Sequence, residues 1–211
     1  MDSKTLYLWD MAGTLFRGEW NKEETGFNNY NEWVENKLGK DIKEISDRKH
    51  EEMYEIPFKE GYYLKLDLQP GFRKVLSWTK NNEAFTAGVK EQLDWRAYFL
   101  NSKVGFDIRD YLNKINSTFD FGETNKKTEN MFLSILKEKY KKGFKTIVYT
   151  DDKIANVEFF RQVAEKIKEK YKDFSYRVYH ILNDKSGLQD KGWYCEVGSL
   201  YDLLENEKKI V

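Results

Sequence analysis

The amino-acid sequence predicts an α/β fold in which helices flank a parallel β-sheet. Short apolar runs of strand length alternate with longer segments whose apolar residues recur at helical spacing. Several of these runs end on polar residues that can carry chemistry, namely Asp10, Thr86 and the pair Asp151 and Asp152. The carboxyl ends of parallel strands share one edge of a sheet, so these side chains are expected to lie close together there.

The composition is that of one folded α/β domain with an insertion. The chain has 211 residues, of which 40% are hydrophobic and 16% aromatic, enough to fill a buried core. Lysine plus arginine and aspartate plus glutamate number 36 each. Without a net charge, nothing points to nucleic acid or to an anionic membrane as a partner. The composition leaves the oligomeric state open.

The cysteine content and the hydropathy of the sequence indicate the cellular compartment of the protein. Cys195 is the only cysteine, which excludes an intramolecular disulfide and a metal site built on a cysteine cluster. The apolar run at the N-terminus is far too short for a signal peptide, and no stretch approaches the roughly 20 apolar residues of a membrane span. We therefore expect a cytoplasmic protein without a membrane partner.

The first apolar run, residues 6–9, delivers a carboxylate into a tight turn. It ends on Asp10, and Gly13 and Thr14 follow shortly afterwards. A buried strand that ends in this way can present a nucleophile at the edge of a sheet. The same pattern also occurs where an aspartate only caps an ordinary strand-to-turn transition, so its meaning depends on the rest of the chain.

Residues 17–67 are predicted to form a small helical insert. Apolar residues recur at helical spacing between residues 30 and 38, and Gly39 is placed to end that helix. A second helical pattern begins at residue 42, and Pro57 is expected to end it. The aromatic residues of the insert suit either a substrate pocket or the core of a helical bundle. They are Trp20, Phe27, Tyr30, Trp33, Tyr54, Tyr62 and Tyr63.

The α/β pattern resumes after Pro70. A helix over residues 72–78 precedes a short strand over residues 83–86, which carries Thr86 at its end and Ala87 in the turn that follows. A hydroxyl in this position lies at the edge where parallel sheets gather ligands. A threonine before a turn of small residues is also common for structural reasons alone.

Two lysines stand ahead of a later helix. The periodicity predicts a helix over residues 89–106 and a strand over residues 115–121, after which Lys126 and Lys127 precede a helix with an inward apolar face. Either lysine places an ammonium group directly ahead of that helix. Paired lysines before a helix are also common on solvated surfaces.

The strand predicted over residues 144–150 ends on two carboxylates, Asp151 and Asp152. Adjacent carboxylates at a buried strand end repel each other, and this is tolerated mainly where a cation lies between them. Acidic residues here would also stabilise the positive end of the helix that follows. Both roles can hold together.

The C-terminal part of the chain carries no recognisable chemistry. The pattern predicts a strand over residues 176–182, a polar loop over 183–191, an apolar piece near 194–197 and a final helix. His180 falls on that strand, where it is expected to serve packing.

Two of these segments resemble motifs of the haloacid dehalogenase superfamily. Residues 10–14 are similar to its first motif, and residues 151–157 are similar to its fourth motif in the form Asp-Asp-x-x-x-Asn-Val. Thr86 and a lysine before a helix resemble the second and third motifs. The resemblance implies a Rossmann-like core over residues 1–16 and 68–211, with a helical cap over residues 17–67.

The resemblance also implies a Mg²⁺-dependent phosphatase that acts on a small phosphorylated metabolite through an aspartyl-phosphate intermediate. The implied catalytic residues are Asp10 as the nucleophile, Thr86, and Lys126 or Lys127, of which the phase of the following helix favours Lys126. The implied metal ligands are Asp10, the carbonyl of Ala12 and Asp152, with Asp151 acting through water. The implied substrate contacts are Gly13, Thr14, Ala87 and Asn156, of which Asn156 also ties down the turn.

Ala12 departs from the family pattern. The superfamily usually has a second aspartate there, which acts as general acid and base, and alanine has no proton to give. The substrate could have a leaving group that needs little acid help, or an acid such as His50 could come from the cap. Phosphonoacetaldehyde hydrolases also carry alanine here and use a cap lysine as a Schiff base. The chain could instead be an inactive module that binds phosphorylated molecules.

The insert offers several lysines for the Schiff-base alternative, and the sequence singles out none of them. They are Lys22, Lys37, Lys40, Lys43, Lys49 and Lys59.

Overall fold

The computed structural model describes residues 4–210, apart from the side chains of Leu64, Lys65 and Ser102. Residues 1–3 and 211, which the sequence assigns to the core, lie outside the described residues. In chain order the strands are β1 (Thr5–Trp9), β2 (Phe16–Trp20), β3 (Tyr63–Leu68), β4 (Asn82–Thr86), β5 (Lys114–Ser117), β6 (Thr146–Asp151), β7 (Ser175–Ile181), β8 (Leu188–Asp190) and β9 (Cys195–Val197).

The helices fall between these strands and after them. They are α1 (Lys22–Thr25), α2 (Tyr30–Leu38), α3 (Asp47–Glu52), α4 (Glu55–Glu60), α5 (Phe72–Thr79), α6 (Gln92–Val104), α7 (Glu129–Lys141), α8 (Ile154–Lys170) and α9 (Leu200–Ile210). No helix in the described part of the chain combines the length and the apolar character that a membrane crossing requires.

A mostly parallel sheet lies at the centre of the fold. Its strand order is β5-β4-β1-β6-β7-β9-β8, and only β8 runs antiparallel to its neighbour. The alternation of β1 builds a core on each face of the sheet. Tyr7 and Trp9 pack with α5 and α9 on one face, whereas Leu6 and Leu8 pack with α7 and α8 on the other. The predicted α/β class with a helix-flanked parallel sheet is confirmed.

The inserted segment has an apolar cluster of its own. Its buried members are Tyr30, Trp33, Val34, Ile45 and Met53. The predicted helix over residues 30–38 is present as α2, and Gly39 ends it in the left-handed conformation with φ of 63°. The assignment of residues 17–67 to a separate cap domain stays a prediction.

The sequence did not indicate the β2–β3 ribbon that connects the insert to the sheet. These two strands pair antiparallel, from Phe16 opposite Leu68 to Trp20 opposite Tyr63. The three middle residues of β2 are polar or glycine and lie exposed. A strand that buries only its ends shows neither the alternation nor the apolar run by which strands are identified.

The prediction that Pro57 ends a helix was wrong. Pro57 is the third residue of α4, and the chain bends earlier, between α3 and α4. A proline in the first helical turn breaks no hydrogen bond, because the amides of that turn have no partner within the helix.

Two further elements differ from the predicted ones. The strand expected over residues 115–121 ends at Ser117, because the Ser117 hydroxyl accepts from the amide of Phe119 at 3.1 Å and starts a 3-10 helix. The polar loop expected over residues 183–191 contains the edge strand β8, whose residues are all exposed. An exposed edge strand needs no apolar pattern.

A buried carboxylate joins the last helix to the sheet. Glu207 of α9 is completely buried and accepts hydrogen bonds from Tyr7 at 2.8 Å, from Tyr179 at 2.7 Å and from both Nε and Nη2 of Arg177. Four donors compensate the charge that burial would otherwise penalise.

We predict that Glu207→Ala lowers the free energy of unfolding by about 3–5 kcal/mol, because it leaves a partly buried guanidinium and two buried hydroxyls without an acceptor. Urea unfolding followed by circular dichroism measures the change. Glu205→Ala on the same helix removes only an exposed contact with Lys208 and should leave the stability nearly unchanged. Equal stability of the two variants would contradict the role assigned to Glu207.

Candidate active site

Three neighbouring strands bring their terminal residues to one edge of the sheet. β1 lies between β4 and β6, with Trp9 opposite both Ala84 and Thr150. Asp10 follows β1 directly, and its amide donates to the carbonyl of Thr150 at 2.9 Å. Thr86 ends β4 and Asp151 ends β6. The carboxyl edge of the sheet therefore collects the side chains that the sequence singled out.

The ammonium group of Lys127 lies between two carboxylates at this edge. It donates to Oδ1 of Asp10 at 2.5 Å, to Oδ2 of Asp151 at 2.7 Å and to the hydroxyl of Tyr149 at 3.2 Å. Burial alone would lower the pKa of Lys127, but the two carboxylates outweigh it and raise that pKa. The lysine stays charged and is fully paired.

The phase of the helix favoured Lys126, but the structure places Lys127 at this edge of the sheet. Lys126 is exposed, and only its backbone amide is engaged, by the hydroxyl of Thr124. Both lysines precede Thr128, the extended residue that caps α7. Lys126 lies in a bend of the chain and is exposed, whereas Lys127 directly after it is buried.

Asp151 is completely buried and saturated with donors. Besides Lys127 it receives the Tyr149 hydroxyl, the amide of Lys153 at 2.8 Å and the side-chain amide of Asn156 at 3.0 Å. Burial would raise the pKa of Asp151, but these donors lower it. The sequence did not single out Tyr149. It stands two residues before Asp151 on β6, which places both side chains on one face.

Asp10 and Asp152 are less well compensated. Burial, together with neighbouring carboxylates, raises the pKa of Asp10 to about 7 although Lys127 opposes the shift. Burial and the charge of Asp151 raise the pKa of Asp152 to about 6. Oδ1 of Asp152 is buried without a hydrogen-bond partner among the described residues. Both carboxylates therefore have unmet capacity for a positive charge.

The three aspartates form a group that fits a metal ion. One oxygen of each of Asp10, Asp151 and Asp152 lies within 4.8 Å of the others. An all-oxygen donor set of this kind suits Mg²⁺. The unpartnered Oδ1 of Asp152 and the raised pKa of Asp10 agree with a cation that binds between them.

Gly13 lets the first turn approach Asp152. Its φ of 83° is in the left-handed region, and a Cβ at this position would collide with the carboxylate of Asp152. The carbonyl of Gly13 accepts from Gln69 at 2.8 Å and from Asn183 at 3.0 Å. Nε2 of His180 lies 3.0 Å from the carbonyl oxygen of Asp152, so His180 supports the turn after β6 as well as packing in the sheet.

A cavity of about 240 Å³ lies over this edge. The sheet edge contributes Asp10, Ala12, Gly13, Thr86, Ala87 and Gly88 to its lining. The inserted segment contributes Glu51, Tyr54, Phe58 and Tyr63. Drug-sized ligands occupy roughly 300–1,000 Å³, so the cavity suits a smaller molecule.

Two of the four expected substrate contacts do not line this cavity. Thr14 is completely buried beneath the turn, and Asn156 uses its amide to hold Asp151. Thr14 lies inside the fold and does not face the cavity. Asn156 lies in the first turn of α8, where it holds the segment after β6. Gly13 and Ala87 do line the cavity.

The insert reaches the site through a residue that the sequence did not single out. Glu51 of α3 is buried, and it accepts from Gln92 at 2.7 Å and from Asn125 at 3.0 Å. Its neighbour His50 contacts Asn31 at 2.9 Å and does not line the cavity. Side-chain burial of this kind depends on how α3 packs, and no local pattern reveals it.

The aromatic residues of the insert divide between the two roles that were expected of them. Tyr54 and Tyr63 line the cavity. Tyr30 and Trp33 are buried in the insert's own cluster, and the remaining three pack against that cluster.

Comparison with known proteins supports the fold. No protein-family model matches the chain, and no curated protein sequence matches it either. The structure is similar to that of a predicted phosphoglycolate phosphatase from Haemophilus somnus 129PT, with a TM-score of 0.55 and 12% sequence identity over 96% of this chain and 97% of the other.

A second similarity is to a HAD-family enzyme from Bacteroides thetaiotaomicron, that is, an enzyme of the haloacid dehalogenase type. Its aspartate-to-alanine variant, in complex with magnesium and inorganic phosphate, gives a TM-score of 0.50 at 12% identity over 87% of this chain and 96% of the other. Another structure of that enzyme gives 0.51 at 12% identity over 86% and 95%. These similarities show that the chain has the haloacid dehalogenase-like fold.

We predict that Lys127→Met lowers the free energy of unfolding in metal-free buffer by about 3–5 kcal/mol, because two buried carboxylates then lose their cation. Lys126→Met changes an exposed neighbour of the same type and should have little effect. Urea unfolding of both variants measures the difference. A larger loss for Lys126→Met would show that the site lysine has been misassigned.

Proposed function

We propose that this chain, which has the haloacid dehalogenase-like fold, is a Mg²⁺-dependent phosphohydrolase. In this proposal it transfers the phosphoryl group of a small phosphomonoester to Asp10 and then to water. The observation that carries the proposal is the fully paired Lys127 between Asp10 and Asp151, where Asp10 also lines a small cavity. The phosphatase named among its structural neighbours agrees with this reaction class.

Asp10, the carbonyl of Ala12 and Asp152 would hold Mg²⁺, with Asp151 acting through a water molecule. Bound there, Mg²⁺ supplies positive charge that lets an anionic phosphate approach a carboxylate. Lys127 adds a second positive charge on the opposite side of Asp10. Its hydrogen bond to Oδ1 of Asp10 also fixes the orientation of that carboxylate.

In the first step an oxygen of Asp10 attacks phosphorus, and the bond from phosphorus to the leaving-group oxygen breaks. That oxygen departs with the bonding electron pair. In the second step water attacks the phosphorus of the aspartyl-phosphate, which releases inorganic phosphate and restores the Asp10 carboxylate. Thr86 and the backbone amides beside Ala87 would hold the transferring oxygens, so that positioning and charge stabilisation do most of the work.

Ala12 leaves the proton for the leaving group unassigned. Glu51 is the acidic residue that the insert brings to the cavity lining. Both of its oxygens accept hydrogen bonds from side-chain amides, so Glu51 is already engaged within the protein. The proposal therefore favours a substrate whose leaving group departs with little acid help.

The two alternative functions differ in what supports them. Among the cap lysines whose side chains the structure describes, none lines the cavity, so the phosphonatase-like reaction has only Ala12 in its favour. A module that binds phosphorylated molecules without turnover is favoured by Ala12, which lacks the proton donor. Turnover measurements separate this candidate from the hydrolase.

We predict that the parent protein releases phosphate from a panel of small phosphate esters with Mg²⁺ and not with EDTA. Asp10→Asn should reduce turnover by several orders of magnitude, because the amide keeps the shape but is no nucleophile. Asp110→Asn, at an exposed aspartate outside the cavity lining, is the matched control and should keep full activity. Unchanged turnover in Asp10→Asn would overturn the proposed mechanism.

We also predict that Ala12→Asp raises turnover of alkyl phosphates by about 10²–10⁴-fold, the usual contribution of a general acid. The gain should be small with p-nitrophenyl or acyl phosphates, because their leaving groups depart without a proton. The ratio of the two gains is the diagnostic measurement. A parent enzyme that is already fast on alkyl phosphates and is not improved by Ala12→Asp would show that the proton comes from elsewhere.

A further inference from the structure

Arg96 is a buried cation without an ion-pair partner among the described residues. It lies on α6 one helical turn after Gln92, and its side chain lines the cavity above Asp10. Only 7% of the residue is exposed, and no described acceptor reaches its guanidinium. Its Nε is buried without any hydrogen bond. A guanidinium has five N–H donors in a planar fork, so Arg96 has unused capacity for an anion.

The residues around Arg96 contact its guanidinium group but leave its N–H donors without acceptors in the part of the chain that the structure describes. The guanidinium lies 5.0 Å from the ring centre of Phe16 and 4.7 Å from that of Phe58. Burial lowers the pKa of Arg96, and the nearby tyrosines and acidic groups offset this only in part. Stacking on rings fixes the plane of a guanidinium and leaves its edge free.

The other buried cations among the described residues, Lys127 and Lys139, differ from Arg96 in this respect. Lys127 is paired with two carboxylates, and Lys139 donates to Glu83 at 2.7 Å. Glu51 shares the cavity wall with Arg96, but its two oxygens accept from amides and not from the guanidinium. An unpaired buried charge is costly to the folded chain, and a ligand that supplies the missing anion removes that cost.

We propose that Arg96 binds a second anionic group of the substrate, a carboxylate or a second phosphate, while the transferred phosphoryl group lies at Asp10. This inference rests on the proposed function and specifies its substrate class. The phosphoryl end of the cavity already has Lys127 and Thr86. Arg96 lies instead against the aromatic residues Phe58, Tyr54 and Tyr63 of the insert, and the small volume keeps the two anions within one short molecule.

Paired phosphonates test this assignment without turnover, because their carbon–phosphorus bond replaces the ester. Calorimetric titration with Mg²⁺ present compares 2-carboxyethylphosphonate with propylphosphonate, which has the same length and lacks the carboxylate. We expect the parent to bind the carboxylate-bearing ligand about 10- to 100-fold more tightly, as charge-assisted hydrogen bonds allow. Arg96→Met should abolish this ratio, and Arg96→Lys should retain part of it.

Two controls separate binding from folding. Arg73→Met removes an exposed arginine outside the cavity lining, and it should leave the ratio unchanged. The melting temperature of Arg96→Met should not fall below that of the parent, because the variant keeps an apolar contact with Phe16 and Phe58 and removes an unpaired charge. A clear fall would assign Arg96 to packing and overturn the inference.

Several results would contradict the proposal. These are equal affinities of the parent for the two phosphonates, no binding of either one, survival of the ratio in Arg96→Met, or an equal loss for both ligands in that variant. The last result would mean that Arg96 contacts the phosphoryl group itself. If the parent releases no phosphate from any ester, the hydrolase proposal fails, whereas the phosphonate ratio still decides the role of Arg96.

Discussion

A buried ammonium group between two carboxylates determines the arrangement of the site. Lys127 can contact Asp10 and Asp151 together because β1 and β6 are neighbours in the sheet and end at the same level. Its approach from the segment before α7 fixes the position of that segment over the sheet edge. An uncompensated charge in this environment would cost several kcal/mol, so the loop, the two strands and the lysine depend on one another.

The three aspartates of the site have unequal environments. Asp151 is saturated with donors and has a lowered pKa, whereas Asp10 and Asp152 have raised values and fewer partners. Asp151 therefore has a structural role and anchors the turn after β6. The other two retain capacity for ligands. The three side chains are of one type. Differences in burial and hydrogen bonding alone give one of them a structural role and leave two for chemistry.

The sequence predicted those features that depend on local pattern. Asp10, Thr86 and Asp151 stand at strand ends, and strand ends can be read from apolar runs and from the turns after them. The choice of Lys127 over its neighbour depends on the conformation of the irregular segment before α7, which carries no pattern of its own. Glu51 and the β2–β3 ribbon were missed for a different reason, since both are defined by packing between segments that are distant along the chain.

The contacts of α3 link the insert to the segment that carries Lys127. Asn125 donates its side-chain amide to Glu51 and its backbone amide to Asp47, and Arg48 pairs with Glu123 at 2.7 Å. The exposed ion pair adds little, so the buried contacts of Glu51 dominate. Free-energy coupling between two sites is reciprocal. If a ligand at α3 changes the affinity of the three aspartates for a cation by some factor, the cation therefore changes the affinity for that ligand by the same factor.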